Sequence, residues 1–175
     1  MPKEQAAMDK WMFVVPLSLI LLGGCASDGM QRYSEAPTAQ RQVTDRQELD
    51  GNWTVYAIGP RAVDQRFSPR LAFGDLQRVG GDAGCNRFMG RFELDESGGL
   101  IVSDLKVTRR ICPDAIMVQE ALLLSRLKAV KIGRLTAEGD LLLYHDDQSL
   151  PIRLRPDLGA RVSTANSGPA SLSRG

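Results

Sequence analysis

Large apolar residues alternate with small or polar residues along most of the chain between positions 48 and 156. The alternation is clearest in segments 49–58 and 87–94, where apolar side chains recur at every second position and therefore share one face of an extended strand. Similar but shorter stretches, bounded by turn residues, predict further strands at 71–75, 76–80, 100–107, 141–145 and 150–154. Many short strands with regular turns, such as 95–99, predict a mainly β (α+β) barrel or sandwich.

One segment, 113–129, has helical spacing instead. Pro113 and Asp114 suit a helix N-terminus, where a fixed φ and a negative charge are favourable. At about 100° per residue, one arc of this helix collects the apolar side chains of Ile116, Met117, Leu123, Leu124 and Leu127. Glu120 falls inside the same arc. Its carboxylate either extends past the core edge to solvent or is a buried acceptor, bonded to backbone amides or Asn86 of the turn Gly84-Cys85-Asn86.

The N-terminal segment has a different composition. Lys3 and Lys10 flank a short polar start, and a nearly continuous apolar run follows from Trp11 to Leu22. This arrangement is typical of a signal peptide, and the run is shorter than the roughly 20 residues that a membrane-spanning helix needs. The alternative is a buried core helix that begins a cytosolic protein. Pro16 argues against that alternative, because proline disrupts a helix interior.

The motif Leu22-Gly23-Gly24-Cys25 resembles the bacterial lipobox. The resemblance implies that Cys25 receives a diacylglycerol and becomes the first mature residue, with two or three acyl chains, such as palmitate, for stable anchoring. Ala26 follows the cysteine instead of Asp, which by the same resemblance implies the outer membrane, facing the periplasm. We therefore predict a signal peptide at 1–24, a lipidated cysteine and flexible tether at 25–47, one domain at 48–156 and a disordered tail at 157–175.

Charge and titratable residues give little support to catalysis. The formal net charge is +1, so no basic surplus suggests nucleic acid as a partner. The single histidine, His145, lies at a predicted strand edge beside Asp146 and Asp147, where a solvated polar residue is ordinary. One histidine and few free thiols leave a poor set of metal ligands. We predict no catalytic residue, no metal and no cofactor.

Several motifs of the domain together resemble the META domain, also called the HslJ-like family. They are Leu49-x-Gly51-x-Trp53, Leu71-x-Phe73, Gly84-Cys85-Asn86-x-Phe88-x-Gly90, Thr108-x-x-x-Cys112, and Glu120 ahead of Leu123-x-x-x-Leu127. The resemblance covers about residues 48–155 and implies a compact antiparallel barrel-like fold with one packed helix. It also implies a structural role for the motif residues. Family members are commonly bacterial envelope lipoproteins without an established biochemical activity, some linked to heat shock or novobiocin resistance. Arg110-Ile111 departs from the family pattern, and we expect it to alter packing more than fold.

Cys85 and Cys112 lie within the predicted domain. In an exported protein such a pair can persist as a disulfide, and closing a loop of about 28 residues would stabilise the fold by roughly 3.5 kcal/mol. The alternatives are two reduced buried thiols or one reactive thiol. The reactive thiol would be needed for a Cys-His enzyme.

Three functions remain in order of preference. The first is a non-enzymatic envelope role in maintenance, stress response or antibiotic tolerance, through structural or surface interaction. The second is a barrel-type binding module for a small amphiphile or peptide, and the third is a Cys-His enzyme. The implied partners are the membrane, through the lipid anchor, and an envelope protein or small amphiphile. An apolar cavity inside the barrel would favour ligand binding, whereas a filled barrel would favour surface interaction.

Overall fold

The computed structural model describes residues 33, 35–37 and 39–158. The predicted signal peptide, Cys25 and the tail from 159 onward lie outside these residues. The strands are β1 (Gln40–Gln42), β2 (Gly51–Ile58), β3 (Arg61–Ala62), β4 (Arg70–Gly74), β5 (Arg78–Asp82), β6 (Arg87–Leu94), β7 (Leu100–Val107), β8 (Ile132–Thr136), β9 (Leu141–Tyr144) and β10 (Ile152–Pro156). One α-helix, α1 (Asp114–Lys128), follows β7. In this part of the chain, no helix combines the length and apolarity needed to cross a membrane.

The strands form one curled sheet. Their order is β1-β8-β9-β10-β2-β4-β5-β6-β7, with β3 added beside β2, and every strand pairing is antiparallel. The start of β7 returns to β8, because the Leu100 N–H donates to the Lys131 carbonyl at 2.9 Å and Gly99 bridges to Ile132. The sheet is therefore a half-barrel, and the predicted mainly β, barrel-like fold with one helix is confirmed.

The sheet begins earlier in the chain than the composition suggested. β1 pairs with β8, and Val43 is completely buried in the core. Residues 40–43, which we predicted to belong to the tether, are thus part of the folded domain, with 40–42 in the sheet and Val43 in the core. The polar sequence of β1 concealed the strand, because β1 lies at a sheet edge and two of its three residues are exposed.

The chain before β1 also contacts the sheet. The Tyr33 N–H donates to the Pro60 carbonyl at 3.3 Å, and the Tyr33 ring meets the Tyr56 ring edge-on at 5.5 Å between centroids. The guanidinium of Arg153 lies 4.8 Å from the Tyr33 ring centroid and donates to the Glu35 carbonyl. Tyr33 and Glu35 therefore contact the outer face of β2 and β10.

The interior of the half-barrel is filled by side chains. Leu123 and Leu127 of α1 are completely buried against the inward-facing residues of the strands, whereas Met117 and Leu124 of the predicted arc are half-buried. The rings of Phe73 and Phe92 meet edge-on at 5.1 Å. Each fully buried Leu or Phe contributes about 1.5–3 kcal/mol. The helix therefore closes the core of the half-barrel.

Candidate functional site

The carboxylate of Glu120 lies against the turn that joins β5 to β6, and the residue is only 5% exposed. Its Oε2 accepts from the backbone N–H of Cys85 at 3.2 Å and of Asn86 at 2.6 Å. Its Oε1 accepts from Nδ2 of Asn86 at 2.8 Å. A buried carboxylate must be paired or hydrogen-bonded, and here three N–H donors meet that need. The interpretation in which Glu120 extends to solvent does not describe its position.

Asn86 connects this turn to the segment after β7. It is 2% exposed, and its Oδ1 accepts from the Arg110 N–H at 2.6 Å and from the Thr108 hydroxyl at 3.0 Å. The Thr108 oxygen in turn accepts from the Arg87 N–H at 3.1 Å. The Asn86 side chain therefore links the turn before β6 to the segment between β7 and α1.

Cys85 and Cys112 are joined by a disulfide, with their Cα atoms 6.1 Å apart. The bridge spans the same two segments as the Asn86 hydrogen bonds. Cys85 is 6% exposed, and its sulfur is bonded to that of Cys112. In this oxidised form neither cysteine is a nucleophile, because the thiolate is the reactive species.

The other motif residues position the turn and the strand after it. Gly84 has φ +113°, a conformation that L side chains rarely adopt, and Phe88 is 4% exposed in the core. A Cβ on Gly90 would lie 2.7 Å from both Leu105 Cδ2 and the Ser103 carbonyl oxygen. These residues serve the packing of the fold.

Ile111 points away from the motif. It is 99% exposed, so the departure at Arg110-Ile111 does not alter core packing, and our expectation that it would is wrong. Arg110 contributes to the motif through its backbone N–H, which donates to Oδ1 of Asn86.

His145 is exposed and lies just after β9. Its Nδ1 donates to the Ala129 carbonyl at 2.8 Å, and its Nε2 is 3.8 Å from the Asp146 carboxylate. Within 39–158, no group of three or more His, Cys, Asp or Glu side chains is arranged to hold a metal ion.

A shallow, open groove of about 1470 Å³ crosses the outer face of β4 to β7, and we call it the β5–β6 groove. Its floor consists of the small residues Ala72, Gly74 and Gly80. The strand register places Ala72 beside Gly80 and Gly80 beside Met89. Because glycine has no side chain, the sheet backbone is accessible to a partner along this floor.

Apolar side chains and an irregular backbone form the walls of the groove. Leu76 and Met89 are 73% and 64% exposed. The register of β6 and β7 shifts between Met89 and Arg91, so β7 bulges at this point.

Backbone strain is concentrated at the same walls. Among the described residues, Leu76, Gln77 and Asp104 are the non-glycine residues with positive φ, at 57°, 57° and 53°. Each such residue costs about 1–3 kcal/mol and persists only when its surroundings hold it. Since all three line one groove, the groove is a candidate functional surface.

The rim of the groove is positively charged. Four exposed cations line it, namely Arg46, Arg78, Arg91 and Lys106, together with the two carboxylates of Asp75 and Asp104. The ion pairs found within the described residues include none of the four cations. Their charges are therefore free to attract an anionic partner.

The sequence pattern did not reveal this groove. The outward positions of the predicted strands include Arg78, Met89 and Arg91. An exposed apolar residue between cations was the one feature of the sequence that could have indicated a binding surface here. The bulge and the strained residues depend on strand register, which the residue types do not specify.

Two solved structures share this fold. One is described as "NMR structure of the protein from Burkholderia xenovorans"; it is 21% identical, with a TM-score of 0.58, and the match covers 71% of this chain and 93% of that one. The other, described as "NMR structure of the protein", is 22% identical with a TM-score of 0.51 and covers 65% and 96%. At these identities the likeness establishes the fold alone.

No curated protein matches the chain. The family model of the META domain matches residues 46–156, which is well over half of the sequence and includes the turn, the disulfide, Glu120 and the groove. The chain therefore belongs to the META domain family.

Proposed function

We propose that this chain is a bacterial envelope lipoprotein, anchored through Cys25 in the outer membrane and facing the periplasm. In this proposal the META domain has no catalytic role and contributes to envelope maintenance or stress tolerance by holding a partner in the β5–β6 groove. The groove is the observation that carries the proposal, since it combines exposed apolar walls, local backbone strain and cations that form no ion pair with the described part of the chain.

The filled interior favours surface interaction over ligand binding inside the barrel. Completely buried side chains from the helix and the strands occupy the space that a ligand in the barrel mouth would need. The disulfide argues against a Cys-His enzyme, because a nucleophilic cysteine must be unbridged. The lipobox-like motif around Cys25 supports the anchor, and the disulfide suits an oxidising compartment.

Labelling with radioactive palmitate in bacteria tests the anchor. We expect the wild-type chain to take up label and to fractionate with the outer membrane, and Cys25→Ser to remain unprocessed or soluble without label. Equal labelling of both forms would contradict lipidation at Cys25.

Photo-crosslinking in the native envelope tests the role of the groove. A photoreactive amino acid at Met89 lies in the groove, and a control at Ile111 is exposed and is not part of the groove lining. We expect a discrete adduct from position 89 and none from position 111, with the adduct reduced when Cys25→Ser releases the chain. Identical patterns from both positions would argue against the groove as the partner site.

A further inference from the structure

We propose that the β5–β6 groove binds an acidic, amphipathic peptide segment of a partner protein. The inference rests on the proposed function, in which the groove is a partner site, and it adds the chemistry of the partner. The charges, the apolar walls and the shape of the groove each restrict what can occupy it.

The charge of the groove selects for acidic residues. Four rim cations face two carboxylates, and no cation of the rim forms an ion pair within the described residues. Arg78 and Arg91 are cross-strand neighbours on β5 and β6, where like charges repel each other. A carboxylate placed between them relieves that repulsion, and the planar guanidinium groups can each bind it in bidentate fashion.

The walls select for apolar residues. Leu76 and Met89 are the two most exposed large apolar side chains of the groove. A Met side chain is flexible and polarizable, so it adapts to differently shaped partners. A segment that presents two or three apolar side chains toward the floor and acidic side chains toward the rim satisfies both requirements.

The shape favours a polypeptide over a small molecule or a membrane. Small-ligand pockets are typically about 300–1,000 Å³ and enclose most of the ligand, whereas this groove is larger, shallow and open. The glycine floor allows a partner backbone to approach closely. A bilayer surface is flat and would touch the rim cations without reaching that floor.

Peptide display provides the test. A library of random 12-residue peptides would be selected on the full chain carrying Cys25→Ser, with counter-selection on the same chain carrying Arg78→Glu and Arg91→Glu. We expect the selected peptides to be enriched in both Asp or Glu and large apolar residues. Their affinity should fall at least tenfold in Arg78→Glu/Arg91→Glu, and tenfold or more between low and high salt, because exposed charge pairs are screened.

A matched control separates local from global charge. Arg61→Glu/Arg109→Glu makes the same change in net charge at exposed positions outside the groove, and should leave affinity within twofold. Met89→Ser, with an unchanged circular dichroism spectrum, should weaken binding without changing the salt dependence.

Three outcomes would overturn the proposal. They are selected peptides without acidic enrichment, equal losses in the groove and control variants, and tighter groove-dependent binding of dodecyl phosphate or of anionic phosphatidylglycerol vesicles than of any peptide. If Met89 crosslinks a partner in the envelope while the peptides show no acidic preference, the ligand class is wrong and the proposed function stands. If acidic peptides bind but no envelope adduct forms at Met89, the groove chemistry stands and the proposed function is wrong.

Discussion

Replacing Glu120 by alanine removes the one acceptor on which three buried N–H groups depend. Its carboxylate bonds to the backbone amides of Cys85 and Asn86 and to the Asn86 side chain, at 2.6–3.2 Å. In Glu120→Ala these donors lose their partner, while the disulfide and the rest of the turn remain. The variant therefore isolates the contribution of the carboxylate to the stability of the turn.

The expected loss can be estimated from the number and type of bonds. Hydrogen bonds to a charged group each contribute about 1.5–3 kcal/mol. We take three such bonds at the low end of this range and allow for a water molecule that enters the vacated space and offsets part of the loss. The expected loss is then about 4 kcal/mol. For a domain of this size, about 4 °C per kcal/mol corresponds to a melting temperature lowered by roughly 15 °C. Because small domains are stable by only about 5–15 kcal/mol, this is a large fraction of the total.

Urea unfolding of the oxidised Cys25→Ser chain, followed by circular dichroism, measures the effect. Glu120→Gln keeps one acceptor oxygen but directs an NH₂ group at a donor, so it should lose about 2 kcal/mol. The control Glu96→Ala changes an exposed carboxylate in the β6–β7 turn and should stay within about 0.5 kcal/mol of wild type. A Glu120→Ala chain as stable as Glu96→Ala, with the disulfide intact by mass, would refute the role assigned to this carboxylate.

Three further predictions concern other parts of the domain. Reducing the Cys85–Cys112 bridge, which closes a span of 27 residues, should lower the free energy of unfolding by roughly 3.5 kcal/mol; equal urea midpoints with and without dithiothreitol would contradict this. Gly90→Ala should destabilise by about 1–3 kcal/mol because its Cβ would collide with β7, whereas Gly74→Ala, whose Cβ meets nothing within 4 Å, should be nearly neutral by thermal melting. Burial and then the hydrogen bond to Asp140 raise the pKa of Tyr56 above its ordinary value, so the folded state holds this proton after the unfolded state has lost it. Its contribution to stability is full below about pH 10 and declines as pH rises further; Tyr56→Phe should flatten that decline in alkaline unfolding curves, and an unchanged slope would count against it.

The sequence predicted those elements whose secondary structure is determined by the pattern of residues within the segment itself. Strand β6 and helix α1 follow directly from a period of two and a helical arc, and Glu120 stood out because a carboxylate inside an apolar arc needs a partner. Strand β1 could not be found this way, because a polar edge strand has the composition of a tether. β8 was also missed, since Gly133 and Arg134 interrupt its apolar pattern.

The groove depends on features that are not local. The groove exists because four strands are in one particular register, and its walls depend on positive φ at Leu76 and Gln77, residue types that seldom adopt it. A cation at an outward strand position is ordinary by itself. Only the three-dimensional arrangement shows that Arg78 and Arg91 are neighbours and that neither forms an ion pair with another described residue.

The contact between Tyr33 and the outer face of the sheet limits how far the domain can stand from a membrane. In a chain anchored at Cys25, seven residues lie between the anchor and Tyr33, and the eight Cα-to-Cα steps span at most about 28 Å when fully extended. A tether running to residue 47 would have allowed roughly 75 Å. The domain would thus stay within about one domain diameter of the bilayer, with β2 and β10 on the anchored side, while the groove on β4 to β7 opens in another direction. Such a short tether would restrict the partners to molecules that are themselves at or near the membrane surface.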